Sequence, residues 1–237
     1  MTEARIENPA PSPVVALPPV QVPYIDVVEN PLLVAWERIS GLWNAGKITA
    51  DQLRELRRRA VDAWSWAIPN DAALNALAGL GRLVEMGAGT GYWSRLLRQR
   101  GVDVIAYDRA PGTGCTWYRD GGLGPVQHTE VVRAEPEVLR AHPDRALLLV
   151  WPPFVSHENV DDADFVSFGR RCLRVYRGAT VAYVGEPRRV RGDGNRAGWT
   201  ADDTFFDDLH RDFATVQWVS IPRWPGLQDA LWILRRR

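Results

Sequence analysis

Hydrophobic residues recur at helical spacing in the first part of the chain, from residue 32 onward. Leu32, Trp36 and Trp43 fall on one face of a predicted first helix, which ends before Gly46. A second helix is predicted to start at Thr49, because a threonine followed three residues later by glutamine is typical of a capping box. A third, short helix is expected from residue 70 or 71 to residue 80.

From residue 82 onward short apolar runs alternate with helical patterns. The predicted strands cover residues 83–86, 102–107, 126–132, 146–151, 180–185, 216–221 and 230–234. The predicted helices between them cover residues 92–100, 135–142, 162–176 and 201–210, the last capped by Thr200. This alternation predicts an α/β fold with a doubly wound, seven-stranded, mostly parallel sheet that follows an N-terminal helical extension.

The length of 237 residues and a hydrophobic content of 46% favour one globular domain with an extension. Six prolines between residues 9 and 23 cannot maintain a helix, so residues 1–30 are interpreted as an extended, proline-rich arm. Residues 31–80 are predicted to form a helical cap, and residues 81–237 the domain that contains the sheet. The glycine-rich and arginine-rich stretch 186–196 has the composition of a lid.

Charge and cysteine content narrow the functional classes. Lys plus Arg and Asp plus Glu number 29 each, so no net field would attract the protein to nucleic acid or to a membrane surface. The two cysteines, Cys115 and Cys172, are far apart, and no other pattern has the spacing of metal ligands. No apolar run is long enough for a membrane span and no basic leader precedes one, so we expect a cytoplasmic protein without a bound metal.

A glycine-rich loop follows the first predicted strand. Gly87, Gly89 and Gly91 lie between that strand and the helix that opens at Tyr92, which is the arrangement of a nucleotide-binding loop. Dinucleotide sites favour the spacing G-x-G-x-x-G, whereas here the third glycine comes one residue early. The spacing therefore argues against a dinucleotide.

The run Glu85-x-Gly87-x-Gly89-x-Gly91, with Asp108 at the end of the next strand, resembles the cofactor motifs of the class I S-adenosylmethionine-dependent methyltransferases. The resemblance implies a seven-stranded sheet of that family's type and S-adenosyl-L-methionine as the cofactor. It implies that Asp108 binds the ribose hydroxyls and that Glu85 lies near the methionine end. The full set of expected cofactor-binding residues is Glu85, Gly87, Ala88, Gly89, Gly91, Trp93, Asp108 and Arg109.

The segment after the fourth predicted strand, Trp151-Pro152-Pro153-Phe154, resembles the Asp/Asn-Pro-Pro-aromatic motif of amino-group methyltransferases. It departs from that motif at Trp151, whose indole can only donate a hydrogen bond. Ligands of open α/β sheets bind beyond the carboxyl ends of the strands, so this segment is expected to form the acceptor wall. The expected catalytic residues are Trp151, Pro152, Pro153, Phe154 and His157, and the expected substrate-contacting residues are Trp64, Trp66 and Trp199. An alternative is that the two prolines only end the strand and that Trp151 fills the core.

These features predict a methyltransferase that acts on a small amine-bearing or aromatic acceptor. Because the motif is broken at Trp151, transfer or cyclisation of the aminocarboxypropyl group of the cofactor stays open as an alternative. A cofactor-binding partner subunit without chemistry is a second alternative, since the sequence shows no obvious general base. The expected partner is a small-molecule substrate, with no nucleic acid and no membrane, and the sequence leaves the oligomeric state open.

Overall fold

The computed structural model describes residues 30–112, 126–152, 166–188 and 200–237. Its helices are α1 Pro31–Asn44, α2 Ala50–Ala63, α3 Asp71–Ala78, α4 Tyr92–Gln99, α5 Phe168–Val175 and α6 Asp203–Asp212. Its strands are β1 Leu83–Met86, β2 Val104–Asp108, β3 Val132–Arg133, β4 Ala146–Val150, β5 Thr180–Gly185, β6 Phe213–Ser220 and β7 Ala230–Arg236. A 3-10 helix, Pro136–Ala141, joins β3 to β4.

The strands form one seven-stranded sheet in the order β3-β2-β1-β4-β5-β7-β6. Neighbours from β3 to β5 are parallel, whereas β7 runs antiparallel to both β5 and β6. This arrangement confirms the predicted α/β class and the mostly parallel sheet. Because β7 is reversed, its first residue lies at the edge where the parallel strands end.

Side chains of each strand alternate between two apolar layers, as the pleat of a strand requires. In β1, Leu83 joins the core that contains α1 to α4, whereas Val84 and Met86 join the core that contains α5 and α6. Glu85 therefore points toward α4 and not toward α5. The three helices before β1 share the first of these cores with the sheet, which fixes their position near the glycine loop. The division of the chain into an arm of residues 1–30, a cap of residues 31–80 and a catalytic domain of residues 81–237 stays a prediction.

The starts of the second and third helices agree with their predicted signals. Thr49 forms both bonds of the capping box with Gln52, and Asn70 caps α3 through the amide of Ala73. Along α2, three arginines pair with acidic side chains of the same helix: the pairs are Arg54–Asp51, Arg58–Glu55, Arg58–Asp62 and Arg59–Glu55. Ion pairs between residues three or four positions apart are typical of a solvated helix surface.

Several predicted boundaries were wrong. Of the predicted strand 126–132 only Val132 pairs with the sheet, as the first residue of β3, because His128 instead donates its main-chain amide to the carbonyl of Thr90. The predicted helix 135–142 is a 3-10 helix. The helix α5 begins at Phe168, where the side chain of Ser167 accepts a hydrogen bond from the amide of Arg170. Residues 162–165 of the predicted helix 162–176 lie outside the described residues.

The predicted cap of the last helix was also wrong. Asp202, not Thr200, caps α6 by accepting a hydrogen bond from the amide of Phe205. The hydroxyl of Thr200 is used elsewhere: it accepts from the amide of Glu186, 3.0 Å away, and lies 2.6 Å from the hydroxyl of Tyr183. Thr200 thus ties the end of β5 to the start of the next segment.

Candidate active site

The glycine loop connects β1 to α4 through three residues with left-handed backbone. Gly87, Gly89 and Gly91 have φ angles of 81°, 54° and 73°. A side chain at Gly91 would bring its Cβ to 2.7 Å from Val131, whereas a Cβ at Gly89 would meet nothing within 4 Å. Gly91 is therefore required by packing inside the protein. Gly89 is required only by its backbone angle, and its Cα faces open space that a ligand could approach closely.

Asp108, the last residue of β2, fixes the loop through its carboxylate. Its Oδ2 accepts a hydrogen bond of 2.8 Å from the amide of Gly89, and its Oδ1 accepts one of 2.7 Å from the amide of Ala110. A carboxylate has about four lone-pair sites, so these two bonds leave acceptor capacity for further donors. Arg109, the next residue, is exposed and forms an ion pair with Glu135.

Glu85 lies in β1 and is only 1% exposed. The hydroxyl of Ser94, in the first turn of α4, donates a hydrogen bond to its carboxyl. Burial is the main reason why the pKa of Glu85 is raised to about 7; the bond from Ser94 opposes this shift, and the negative charge of Asp108 adds to it. A cation near this carboxyl would favour its ionised form, which is the interaction expected of a residue at the methionine end of the cofactor.

The end of α2 contacts the glycine loop. The hydroxyl of Thr90 donates to the carbonyl of Trp64, and the ring Nε2 of His128 lies 2.7 Å from the carbonyl of Ala63. His128 thus links its own segment to the end of α2, and it does so outside any strand. These contacts bring the predicted substrate residue Trp64 next to the loop.

Trp93 is the expected cofactor residue that the structure places least favourably. It is 1% exposed and belongs to the apolar core between the sheet and α1 to α4. Its Nε1 donates to the carbonyl of Ala67 at 3.3 Å. Its contact with the cofactor stays a prediction, and this burial counts against it.

Trp151 follows β4 and has an unusual backbone. Its φ of 46° is the only positive value outside glycine among the residues that the structure describes. Its amide donates to the carbonyl of Val184 in the neighbouring strand. Its ring stacks on that of Trp66, with ring centres 4.7 Å apart and planes 6° from parallel. Two tryptophans predicted separately, one as catalytic and one as substrate-contacting, are therefore brought together.

Sequence reasoning missed the group that holds the Trp151 indole. Its Nε1 donates a hydrogen bond of 3.1 Å to Oδ1 of Asp229, the residue just before β7. Burial raises the pKa of Asp229 to about 7, and the neighbouring carboxylate of Glu186 adds to the shift. The signal that could have found Asp229 was the indole, which needs an acceptor when it is buried. Its position, however, depends on the reversal of β7, which the strand pattern did not reveal.

Four expected site residues, Pro153, Phe154, His157 and Trp199, lie outside the described residues, as does most of the predicted lid. Pro152 is described and buried. Within the described part of the chain, no group of three or more His, Cys, Asp and Glu side chains could hold a metal ion. The same residues contain no helix that is both long enough and apolar enough to cross a bilayer.

The strand order identifies the architecture. A Rossmann sheet has the order 3-2-1-4-5-6, whereas here a seventh, antiparallel strand is inserted between the fifth and the sixth. A seven-stranded sheet of this kind agrees with the one that the resemblance to the class I methyltransferases implies. No known family profile matches the sequence, and no curated protein matches it.

Solved structures of methyltransferases resemble this chain weakly. A SAM-dependent methyltransferase from Archaeoglobus fulgidus is 13% identical, with a TM-score of 0.42 over 69% of this chain and 89% of that one. The 1,6-didemethyltoxoflavin-N1-methyltransferase of Burkholderia thailandensis is 16% identical, with a TM-score of 0.42 over 86% and 88% of the two chains. An rRNA methylase from Streptococcus thermophilus is 15% identical, with a TM-score of 0.40 over 72% and 99%.

Proposed function

We propose that this protein is an S-adenosylmethionine-dependent methyltransferase that acts on a small amine-bearing or aromatic acceptor. One observation carries the proposal: the glycine loop, Asp108 and the stacked pair Trp66–Trp151 all lie at the edge where β1, β2 and β4 end. Ligands of open α/β sheets bind at this edge. A cofactor loop and an aromatic wall at the same edge suit a donor and an acceptor that must meet.

The residues fit the cofactor in three respects. Gly89 leaves its surface open for close backbone approach. The carboxylate of Asp108 retains lone pairs for ribose hydroxyls, and such charge-assisted bonds are stronger than neutral ones. Glu85 supplies negative charge on the side of β1 that faces α4, suited to an ammonium group. Ala88, Trp93 and Arg109 complete the proposed set of cofactor contacts, on or next to the same loop and strand end.

Bound S-adenosylmethionine supplies a methyl group that its sulfonium already activates. The chain's own task is then mainly to orient the acceptor and to exclude water, because correct placement of two reactants can supply most of the rate enhancement. The stacked indoles of Trp66 and Trp151 present aromatic surface for a planar acceptor. We assign Pro152, Pro153, Phe154 and His157 to the same wall, and Trp64 and Trp199 to its rim.

The test is to incubate the purified protein with S-adenosylmethionine, with and without a metabolite extract, and to identify the nucleoside product by mass spectrometry. We expect S-adenosylhomocysteine only when extract is present. Methylthioadenosine formed from protein and cofactor alone, above the spontaneous background, would contradict methyl transfer and favour use of the aminocarboxypropyl group. Cofactor binding without either product would favour a non-catalytic partner subunit.

Asp108→Ala provides the control for the placement of the cofactor. We expect it to weaken S-adenosylhomocysteine binding at least tenfold in calorimetry, since it loses the ribose contacts and the bond to Gly89. Asp144→Ala removes an equally charged but exposed side chain that pairs only with Arg82 in the described structure. If both variants bound the nucleoside equally well, the proposed ribose site would be wrong.

A further inference from the structure

Asp229 is a buried acid that the proposed chemistry does not use. It precedes β7 and is 1% exposed. The antiparallel direction of β7 brings it to the edge of the sheet where β4 and β5 end. Its main-chain carbonyl accepts a hydrogen bond of 3.0 Å from Nε of Arg223, which anchors the turn that leads into β7. An acid in this position borders the aromatic wall and not the glycine loop.

The only side-chain hydrogen bond described for the Asp229 carboxyl joins it to the wall. Its Oδ1 accepts from Nε1 of Trp151, and its Oδ2 is buried without a hydrogen-bond partner among the described residues. The Trp151 backbone adopts a left-handed conformation that residues with a side chain rarely take. A conformation of this kind persists only when its surroundings hold it in place. The indole bond to Asp229, the amide bond to Val184 and the stack on Trp66 are the contacts that do so.

Three charged side chains, in addition to burial, influence the pKa of Asp229. Glu186, fully buried at the end of β5, raises the pKa of Asp229 together with burial, which is the larger cause. The indole bond from Trp151 and the guanidinium groups of Arg57 and Arg223 oppose this rise. The Arg57 guanidinium also lies 5.5 Å from the ring centre of Trp66, so it belongs to the same cluster. Asp229 therefore exchanges its proton near neutral pH while it holds the indole.

We propose that Asp229 is a positioning residue for the acceptor, which acts through Nε1 of Trp151 to fix the stacked pair Trp66–Trp151. It does not touch the glycine loop, so its removal disturbs the acceptor wall and leaves the cofactor side unchanged. This inference rests on the proposed function for its role in the reaction. The contact between Asp229 and Trp151, however, can be tested without any turnover.

The first measurement is the indole N–H signal of Trp151 in the NMR spectrum of the full chain, assigned from Trp151→Phe. We expect a large shift of this signal in Asp229→Leu and a smaller one in Asp229→Asn, which retains an oxygen acceptor. The indole signal of Trp93 should not move, because its acceptor is the carbonyl of Ala67. Asp208→Asn is the matched control, since it alters a buried acid on α6 that pairs with Arg170. An unmoved Trp151 signal in Asp229→Leu would overturn the proposal.

The second measurement is the pH dependence of the same signal. In the wild type it should titrate with a midpoint near pH 7, and in Asp229→Asn this transition should disappear. Glu186→Gln should lower the midpoint, because it removes the negative charge that opposes ionisation of Asp229. This pattern would identify Asp229 as the group whose titration the Trp151 indole reports. A wild-type signal that stays flat between about pH 5.5 and about pH 8.5 would overturn the proposed coupling of the two side chains.

The third measurement separates acceptor from cofactor. With a dilution series of the metabolite extract, we expect Asp229→Leu to need at least tenfold more extract for half-maximal S-adenosylhomocysteine formation, with partial rescue in Asp229→Asn. The KM for S-adenosylmethionine should stay within about twofold of wild type. Equal changes in both would overturn a role confined to the acceptor. If the wild type forms no product, the proposed function fails, whereas the NMR result still decides whether Asp229 positions Trp151.

Discussion

Glu85 illustrates how one buried residue can oppose stability while it serves binding. Its folded pKa of about 7 lies above the ordinary value of 4.5 because of burial. The folded protein therefore retains a proton that the unfolded chain releases above about pH 4.5. The contribution of this carboxyl to the free energy of unfolding falls as the pH rises from 4.5 to 7, and it stays at its lowest value above that.

We predict that Glu85→Gln changes the free energy of unfolding of the cofactor-free protein more favourably at pH 8 than at pH 4.5. The difference between the two effects should be on the order of 3 kcal/mol. The same variant should weaken the binding of S-adenosylmethionine, since it loses the charge expected to face the ammonium group. Thermal unfolding at both pH values and calorimetry at pH 8 test the two effects. Glu130→Gln, at an exposed position, is the control. An equal effect of the substitution on the free energy of unfolding at both pH values would show that the carboxylate is not penalised by burial.

Gly89 offers a separate test of close backbone approach. We predict that Gly89→Ala still folds, because its Cβ meets nothing within 4 Å, and that the left-handed backbone costs about 1–2 kcal/mol. The methyl group would occupy the surface open to the cofactor, so the affinity for S-adenosylhomocysteine should fall about tenfold or more. A tenfold loss corresponds to about 1.4 kcal/mol of binding free energy. Gly101→Ala is a matched control, since Gly101 has a φ of 78° and equally open surroundings. Equal affinities in the two variants would indicate that the cofactor does not lie against Gly89.

At the scale of elements, the sequence predicted well what local physics decides. The capping box at Thr49, the cap at Asn70 and the strand at residues 83–86 depend on neighbours in the chain, and the structure contains all three. The segment around His128 was predicted as a strand, yet the amide of His128 donates to the carbonyl of Thr90 in the glycine loop. The role of Asp229 could not be predicted either, because it requires the direction of β7, a choice made by packing across the whole sheet.

The junction of α2 with the glycine loop gives a prediction at this scale. Thr90→Val should lower the free energy of unfolding by about 1–2 kcal/mol, because the carbonyl of Trp64 loses its buried donor. Thr90→Ser retains the hydroxyl and should restore most of that loss. Hydrogen exchange of the amides in the last turn of α2 should accelerate in the valine variant alone. Equal exchange in both variants would mean that the hydroxyl does not link the helix to the loop.

At the scale of the whole molecule, the balance of charge and the order of the strands both favour a small-molecule ligand over a nucleic acid. Positive and negative side chains number 29 each, and three of the four arginines on α2, namely Arg54, Arg58 and Arg59, pair with acidic side chains of their own helix. The described surface of that helix therefore offers no concentrated positive field of the kind that binds a nucleic-acid backbone. A small ligand at the carboxyl edge of the sheet suits this distribution better.

The choice of cofactor can be tested on the intact protein by thermal unfolding. A ligand that binds only the folded state at about 100 times its Kd adds about 2.7 kcal/mol of stability. For a chain of this length that corresponds to a rise in Tm of roughly 5–10 °C. We predict such a rise with S-adenosylhomocysteine and none with NAD. The third glycine of the loop comes one residue too early for a dinucleotide site, and the position of the glycine that would face the pyrophosphate is occupied by Tyr92, the first residue of α4. Asp108→Ala should abolish the rise. A rise with NAD instead would mean that Asp108 and the loop bind a dinucleotide, and the proposed transfer chemistry would then have no donor.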